Sequence, residues 1–183
     1  MSLGIIVLIM IKKSPYPISY YGLRLDSWKK NLKESLLWSS GFILVISIAK
    51  LVYINTIASE SNDPFFQLTD IKDKSFLFSL TFISLYSIFS IFQEFITRSG
   101  VQSPLLRFLT GKYVNTKAII LSTLLFASTH LHLNSIAFAI VVIVPGIFWG
   151  IMYARQNSLL GVSVSHILIG VWGAFIMGFP GSY

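Results

Sequence analysis

Long apolar runs separated by short polar segments are the feature that most restricts the fold of this chain. The runs cover residues 36–57, 76–100, 118–133, 136–154 and 158–179. A helix needs about 20 predominantly apolar residues to cross the hydrocarbon core of a bilayer. Helices and closed barrels are the structures that satisfy their backbone hydrogen bonds there. The pattern therefore predicts an all-α, polytopic helical membrane protein with about five transmembrane helices.

The composition excludes an ordinary soluble domain. Only 11% of the residues are charged and 54% are hydrophobic, whereas soluble domains contain about 25% charged residues. The formal net charge of +7 comes from basic residues that flank the apolar runs. We interpret these residues as contacts to membrane lipid and as determinants of orientation, so no nucleic-acid partner is expected. The sequence contains no cysteine, which excludes disulfides and thiol catalysis.

The first 35 residues differ from the rest of the chain. Residues 3–11 are apolar but too short for a span, and Lys12 and Lys13 follow them, an order opposite to that of a signal peptide. We interpret residues 1–35 as an apolar interfacial anchor, or the stub of a lost helix, followed by a basic segment. Residues 36–183 would form the transmembrane domain. The positive-inside rule places the basic segment in the cytoplasm, most simply at the inner membrane of a bacterial cell.

Three polar stretches interrupt the predicted spans: Gln93-Glu94-x-x-x-Arg98, Phe126-x-x-x-His130 and His166-x-x-x-Gly170. An ionisable side chain inside a bilayer is costly and needs a partner or a function. Glu94 and Arg98 lie four residues apart, on one face of a helix, so we predict an ion pair between them. A carboxylate and two imidazoles in a bilayer can activate water, relay protons or bind a metal.

The depth of these side chains leads to a geometrical prediction. His130 lies about 20 Å along its helix from Lys117, at 1.5 Å per residue. Glu94 reaches a similar depth only if its helix continues beyond Arg98 towards Arg107. We therefore predict that Arg98 lies inside the protein and that Arg107 marks the membrane interface.

In their order and spacing, the three stretches resemble the motifs of the CPBP family (CAAX protease and bacteriocin-processing, or Abi) of intramembrane proteases. This family includes the Rce1-type glutamic endopeptidases. Its motifs are Glu-Glu-x-x-x-Arg, Phe-x-x-x-His and His-x-x-x-Asn or Asp, and the resemblance covers residues 76–178. It implies hydrolysis of a peptide bond in a membrane-associated peptide or protein substrate, either prenylated or bacteriocin-like. It also implies that neither a metal nor another cofactor is used and that no covalent intermediate forms.

The resemblance also implies a role for each motif residue. Gln93 and Glu94 would position or activate water, and His130 would assist them. His166 would stabilise the oxyanion. Arg98 would form a structural ion pair that holds Glu94.

Two positions depart from the family pattern. Gln93 stands in place of the first glutamate, and Gly170 replaces the asparagine or aspartate of the third motif. Glutamine has no titratable acceptor at neutral pH, and loss of a general base costs about 10²- to 10⁴-fold in rate. Hydrolysis would then need Glu94 or His130 as the base. Asn134, four residues after His130, would offer oxyanion support.

Other hypotheses remain open for the same residues. One is a catalytically degenerate membrane scaffold or immunity protein, which the changes at Gln93 and Gly170 favour. Another is a proton or solute carrier, although the sequence shows no inverted repeat. A zinc site has suitable ligand types in Glu94, His130 and His166, but the His-Glu-x-x-His spacing is absent.

Overall fold

The computed structural model of the protein describes residues 2–56, 65–66, 76–131 and 136–178. Within these ranges the chain forms six helices and a short 3₁₀ turn at Ile18–Tyr21. The helices are α1 (Ser2–Lys13), α2 (Trp28–Thr56), α3 (Phe76–Phe108), α4 (Val114–Ser128), α5 (Ile136–Gln156) and α6 (Leu159–Met177). Four of them, α2, α3, α5 and α6, are long and apolar enough to cross a membrane. The predicted all-α polytopic fold is confirmed, and the chain is an integral membrane protein.

Helix α3 is longer than its apolar run and continues to Phe108. Between Phe95 and Gln102 its backbone forms π-helical turns, which directly follow Glu94. The prediction that this helix extends towards Arg107 is therefore correct. Helix α2 likewise begins eight residues before its apolar run, at Trp28, so the boundary proposed after residue 35 lies inside a continuous helix.

Helix α4 is shorter than the sequence predicted. The apolar run covers residues 118–133, but the helix ends at Ser128 after 15 residues. The hydroxyl groups of Ser128 and Thr129 donate to the carbonyls of Leu125 and Phe126, at 2.7 and 2.6 Å. Such side-chain bonds compete with the helical ladder and favour its end. His130 consequently lies in the turn that follows the helix, and the described part of the chain has four long spans plus this short apolar helix.

The core lies where α4, α5 and α6 meet, with α2 packed on α6 and α3 on both α4 and α6. Its buried apolar residues include Phe126, Trp149, Met152, Tyr153 and Val162. A tight turn at Asn157, whose φ angle is 44°, joins α5 to α6. Ser158 caps α6 by accepting a hydrogen bond from the backbone N–H of Gly161. Because this turn is short, α5 and α6 run antiparallel beside each other and bring their polar residues to one core.

Helix α1 packs along the second half of α3 and runs in the same direction. Gly4 lies against Phe92, and Val7 lies against Gly100. A Cβ added to Gly100 would come within 2.6 Å of Val7 Cγ2. Val7 and Ile11 are buried, whereas Leu3, Ile5, Ile6, Leu8 and Ile9 are at least half exposed. The exposed apolar side would face lipid, so α1 supports the part of α3 that contains the π-helical turns.

Candidate active site

Glu94 lies fully buried in the centre of the protein and uses both carboxylate oxygens. Oε2 accepts a hydrogen bond from Nε of Arg98, at 2.8 Å. Oε1 accepts one from Nδ1 of His166 on α6, also at 2.8 Å. The carboxylate therefore joins α3 to α6, and its two oxygens are held in fixed directions.

Arg98 is fully buried and its charge is well compensated. Besides the bond to Glu94, Nη1 donates to Gln102 Oε1 at 2.8 Å and to Ser122 Oγ at 3.4 Å. Nη2 donates to the backbone carbonyl of Gly146, at 3.0 Å. A guanidinium offers five N–H donors, and here four hydrogen bonds reach acceptors on three helices. This arrangement explains how a full positive charge is accommodated in the interior of a membrane protein.

Two glycines of α5 make this arrangement possible. An added Cβ would lie 2.8 Å from Thr123 Cγ2 at Gly146 and 2.8 Å from Ile119 Cγ2 at Gly150. Their small size therefore lets α4 approach α5 closely. The carbonyl of Gly150 accepts from Gln102 Nε2 at 2.9 Å, as the carbonyl of Gly146 does from the arginine. The glycines thus provide backbone acceptors as well as close packing.

His166 is held on two sides. Its ring stacks on that of Trp149, with centroids 3.9 Å apart and planes inclined by 16°. Trp149 Nε1 donates to Ser165 Oγ at 3.2 Å, and the hydroxyl of Ser39 on α2 donates to the same oxygen at 2.7 Å. Only 4% of His166 is exposed. Packing and the bond to Glu94 therefore fix the orientation of this imidazole.

His130 approaches the same region from the end of α4 and is partly exposed. Its Nδ1 lies 3.0 Å from the carbonyl oxygen of Phe126. The ring of Phe126 lies next to both imidazoles, with centroid distances of 4.8 Å to His130 and 5.9 Å to His166. Phe126 thus connects two histidines that are distant in the sequence.

The contacts of the two histidines define which ring nitrogen carries a proton. A carbonyl oxygen and a carboxylate oxygen accept hydrogen bonds, so Nδ1 donates in both His130 and His166. In the neutral imidazole the other nitrogen, Nε2, then carries the lone pair.

Two further side chains border this cluster. Gln93, next to Glu94 on α3, is partly exposed. Tyr86 lies two turns before Glu94 with its ring centroid 6.4 Å from that of His166. The Tyr86 hydroxyl occupies the space in which a side chain at position 170 would begin. The side chain that Gly170 lacks is therefore replaced in space by a tyrosine from α3.

The structure thus brings Glu94, Arg98 and His166 into direct contact and joins His130 to them through Phe126. Asn134 and the neighbouring His132 lie outside the described residues. Among the residues that are described, no three His, Asp or Glu side chains come together in a group that could hold a metal ion.

Sequence reasoning missed Tyr86, Trp149 and Gln102. For α3 a signal was present, because polar-tipped residues recur every four positions: Tyr86, Ser90, Glu94, Arg98 and Gln102. This spacing marks one face of a helix, and it continues through the π-helical turns. No comparable pattern identifies Trp149, whose contact with His166 depends on how α5 packs against α6.

Comparison with known protein families identifies a family that this chain matches. A family model described as type II CAAX prenyl endopeptidase Rce1-like matches residues 75–172, more than half of the 183 residues. The matched segment begins just before α3 and ends within α6, so it contains all three polar stretches. Comparisons with curated proteins and with solved structures give no significant match.

Proposed function

The chain belongs to the Rce1-like family of type II CAAX prenyl endopeptidases, and from this membership we propose that it hydrolyses a peptide bond in a prenylated or bacteriocin-like substrate. Membership in a CAAX protease family implies a substrate that is a peptide associated with the membrane. We further propose that Glu94 and the two histidines carry out the reaction. The protein would lie in the inner membrane of a bacterial cell, with its basic N-terminal segment in the cytoplasm.

The observation that carries this proposal is the buried hydrogen bond between Glu94 Oε1 and His166 Nδ1, at 2.8 Å. A carboxylate that accepts from Nδ1 fixes the tautomer of an imidazole and stabilises the imidazolium that forms when Nε2 takes a proton. His166 would therefore be the general base. Arg98 would hold Glu94 through its second oxygen, and Glu94 would act as a positioning residue.

This assignment exchanges two roles that the resemblance implied. Glu94 was expected to act on water and His166 on the oxyanion. Both oxygens of Glu94 are already hydrogen-bonded, to Arg98 and to His166, so the carboxylate has no oxygen directed at a water molecule alone. The imidazole, by contrast, presents Nε2 as an acceptor.

In the proposed reaction His166 Nε2 removes a proton from water while the water oxygen bonds to the carbonyl carbon of the substrate. His130 Nε2 accepts the second hydrogen of the same water and orients it. The hydroxyl of Tyr86 donates a hydrogen bond to the oxyanion. The His166 imidazolium then protonates the leaving amine as the C–N bond breaks, which releases a free amine and a carboxylic acid that loses the second water proton to solvent.

The test is cleavage of defined peptides by the purified protein in lipid nanodiscs, with a prenylated CAAX-type peptide and a bacteriocin-leader peptide as alternative substrates. We expect cleavage of one class, and a loss of about 10²- to 10⁴-fold for His166→Ala and for His130→Ala. Thr116→Ala, at an exposed position of α4, is the control and should retain full activity.

Three outcomes would contradict the proposal. If the native protein cleaves neither class of peptide, the proposed activity is wrong. Unchanged turnover in both histidine variants would remove their roles. Loss of activity on treatment with EDTA, restored by zinc, would replace the proposed mechanism with a metal-dependent one.

A further inference from the structure

We propose that the cavity between the end of α1, the 3₁₀ turn and the end of α3 binds the phosphate headgroup of an anionic phospholipid. The cavity has a volume of about 510 Å³. The cavity lies at the C-terminal end of α3, whereas Glu94 lies near the middle of that helix. It is therefore separate from the candidate active site. Its lining includes Met10, Lys13, Tyr16, Tyr20, Arg107 and Phe108.

Arg107 is the central cation of this cavity and is held by two aromatic rings. Its guanidinium carbon lies 4.6 Å from the ring centroid of Tyr16 and 4.2 Å from that of Tyr20. The hydroxyl of Tyr20 donates to the backbone carbonyl of Ser103, at 2.7 Å, which fixes its ring. Cation–π contacts of this kind orient a guanidinium without neutralising its charge. The N–H groups of Arg107 are therefore positioned for an anion.

The charges around the cavity are all of one sign. Lys12 and Lys13 form the last turn of α1, and Arg107 lies in the last turn of α3. Within the described ranges of the chain, the ion pairs of arginine join Arg24 to Asp26, Arg98 to Glu94 and Arg155 to Glu34. The cavity lining contains no acidic side chain. Its positive potential is therefore complementary to a phosphodiester.

The apolar surroundings indicate a lipid as the source of that phosphate. Met10 and Phe108 line the cavity beside the cations, and 82% of Phe108 is exposed. The outer side of α1 presents further exposed apolar residues, among them Leu8 and Ile9. The cavity thus lies where an apolar surface ends and basic residues begin, as expected at the headgroup level of a membrane. A phospholipid can bind its phosphate to Arg107 and Lys13 and its glycerol and acyl carbons to the apolar side chains.

The test is native mass spectrometry of the detergent-solubilised protein, titrated with phosphatidylglycerol or with phosphatidylcholine. We expect tighter binding of phosphatidylglycerol, and about five-fold weaker binding for each of Lys13→Gln and Arg107→Gln. Arg107→Lys, which keeps the charge but not the planar guanidinium, should lose less. Lys33→Gln, an exposed basic residue of α2 outside the cavity, is the matched control and should bind as the native protein does.

Each contrary outcome overturns the proposal. Equal retention of the two lipids by the native protein would remove the selectivity on which it rests. Undiminished phosphatidylglycerol binding by the Lys13→Gln/Arg107→Gln double variant would place the lipid elsewhere. Displacement of the lipid by inorganic phosphate at equal concentration would indicate a site for free phosphate instead. Thermal unfolding of the Lys13→Gln variant, whose side chain is exposed, distinguishes lost binding from lost folding.

Discussion

The two histidines beside Phe126 are held in different ways. His166 is buried, hydrogen-bonded to the Glu94 carboxylate and stacked on Trp149. His130 is partly exposed at the end of a helix, and Nδ1 donates to a backbone carbonyl. A carboxylate stabilises an imidazolium by its charge, whereas a carbonyl provides only a dipole. The comparison teaches that His166 Nδ1 faces a charged group, whereas His130 Nδ1 faces only a backbone dipole.

Of the residues around His166, Arg98 is the one whose replacement should destabilise the protein most. Arg98→Leu leaves the carboxylate of Glu94 buried without its cation, and breaking a buried pair costs about 3–5 kcal/mol. We expect a fall of that size in the free energy of unfolding, measured by denaturation in detergent micelles. Arg107→Leu, in the exposed last turn of the same helix, should cost far less.

A double variant sharpens the same prediction. In Glu94→Gln/Arg98→Leu both charges are absent, so the penalty of an unpaired buried charge disappears. We expect the double variant to be more stable than Arg98→Leu alone. Equal or lower stability would mean that packing, and not charge pairing, is the role of the arginine.

Glu94→Gln alone should lower turnover and change the imidazole signal of His166, while the imidazole signal of His130 stays the same. The amide of glutamine cannot stabilise an imidazolium, so we expect a fall in turnover of about 10²- to 10⁴-fold. Nitrogen NMR of labelled imidazoles reports the tautomer and protonation of each ring. A changed signal for His166 with an unchanged signal for His130 supports the division of roles, and equal changes in both contradict it.

Tyr86→Phe removes the hydroxyl that fills the space beside Gly170 and preserves the ring that packs on His166. Loss of one oxyanion donor costs about 10²- to 10³-fold in turnover. We expect that loss in kcat with little change in KM or in unfolding temperature. Tyr53→Phe, on an exposed face of α2, is the control. If Tyr86→Phe keeps the native rate, the hydroxyl has no catalytic role and Tyr86 contributes only packing.

Gln93→Glu should have the smallest effect. If His166 is the general base, a new carboxylate at position 93 adds little, and we expect a change in rate of less than about tenfold. The same peptide-cleavage assay measures it. A gain from undetectable activity to clear proteolysis would instead favour the catalytically degenerate protein that the sequence left open, because the missing base would then be at position 93.

The contacts of the site that lie within one helix could be predicted from the sequence. Residues four apart on a helix share a face, which predicted that the side chain of Arg98 reaches Glu94. The depth of His130 predicted that Arg98 lies inside the protein. The depth of His130 likewise required α3 to continue towards Arg107. The end of α4 was not predicted, because hydropathy does not reveal that Ser128 and Thr129 turn their hydroxyls back to the helix carbonyls.

The sequence by itself determined the membrane class, the all-α fold and the family, because these depend on hydropathy, charge and spacing along the chain. Only the tertiary structure decided which partners the polar groups have on other helices. Glu94 meets His166 across 72 positions of the sequence, and Tyr86 occupies the space that Gly170 leaves. Such contacts depend on how closely the helices approach one another. Spacing within one helix sets which face a side chain occupies, but packing between helices sets what it meets there.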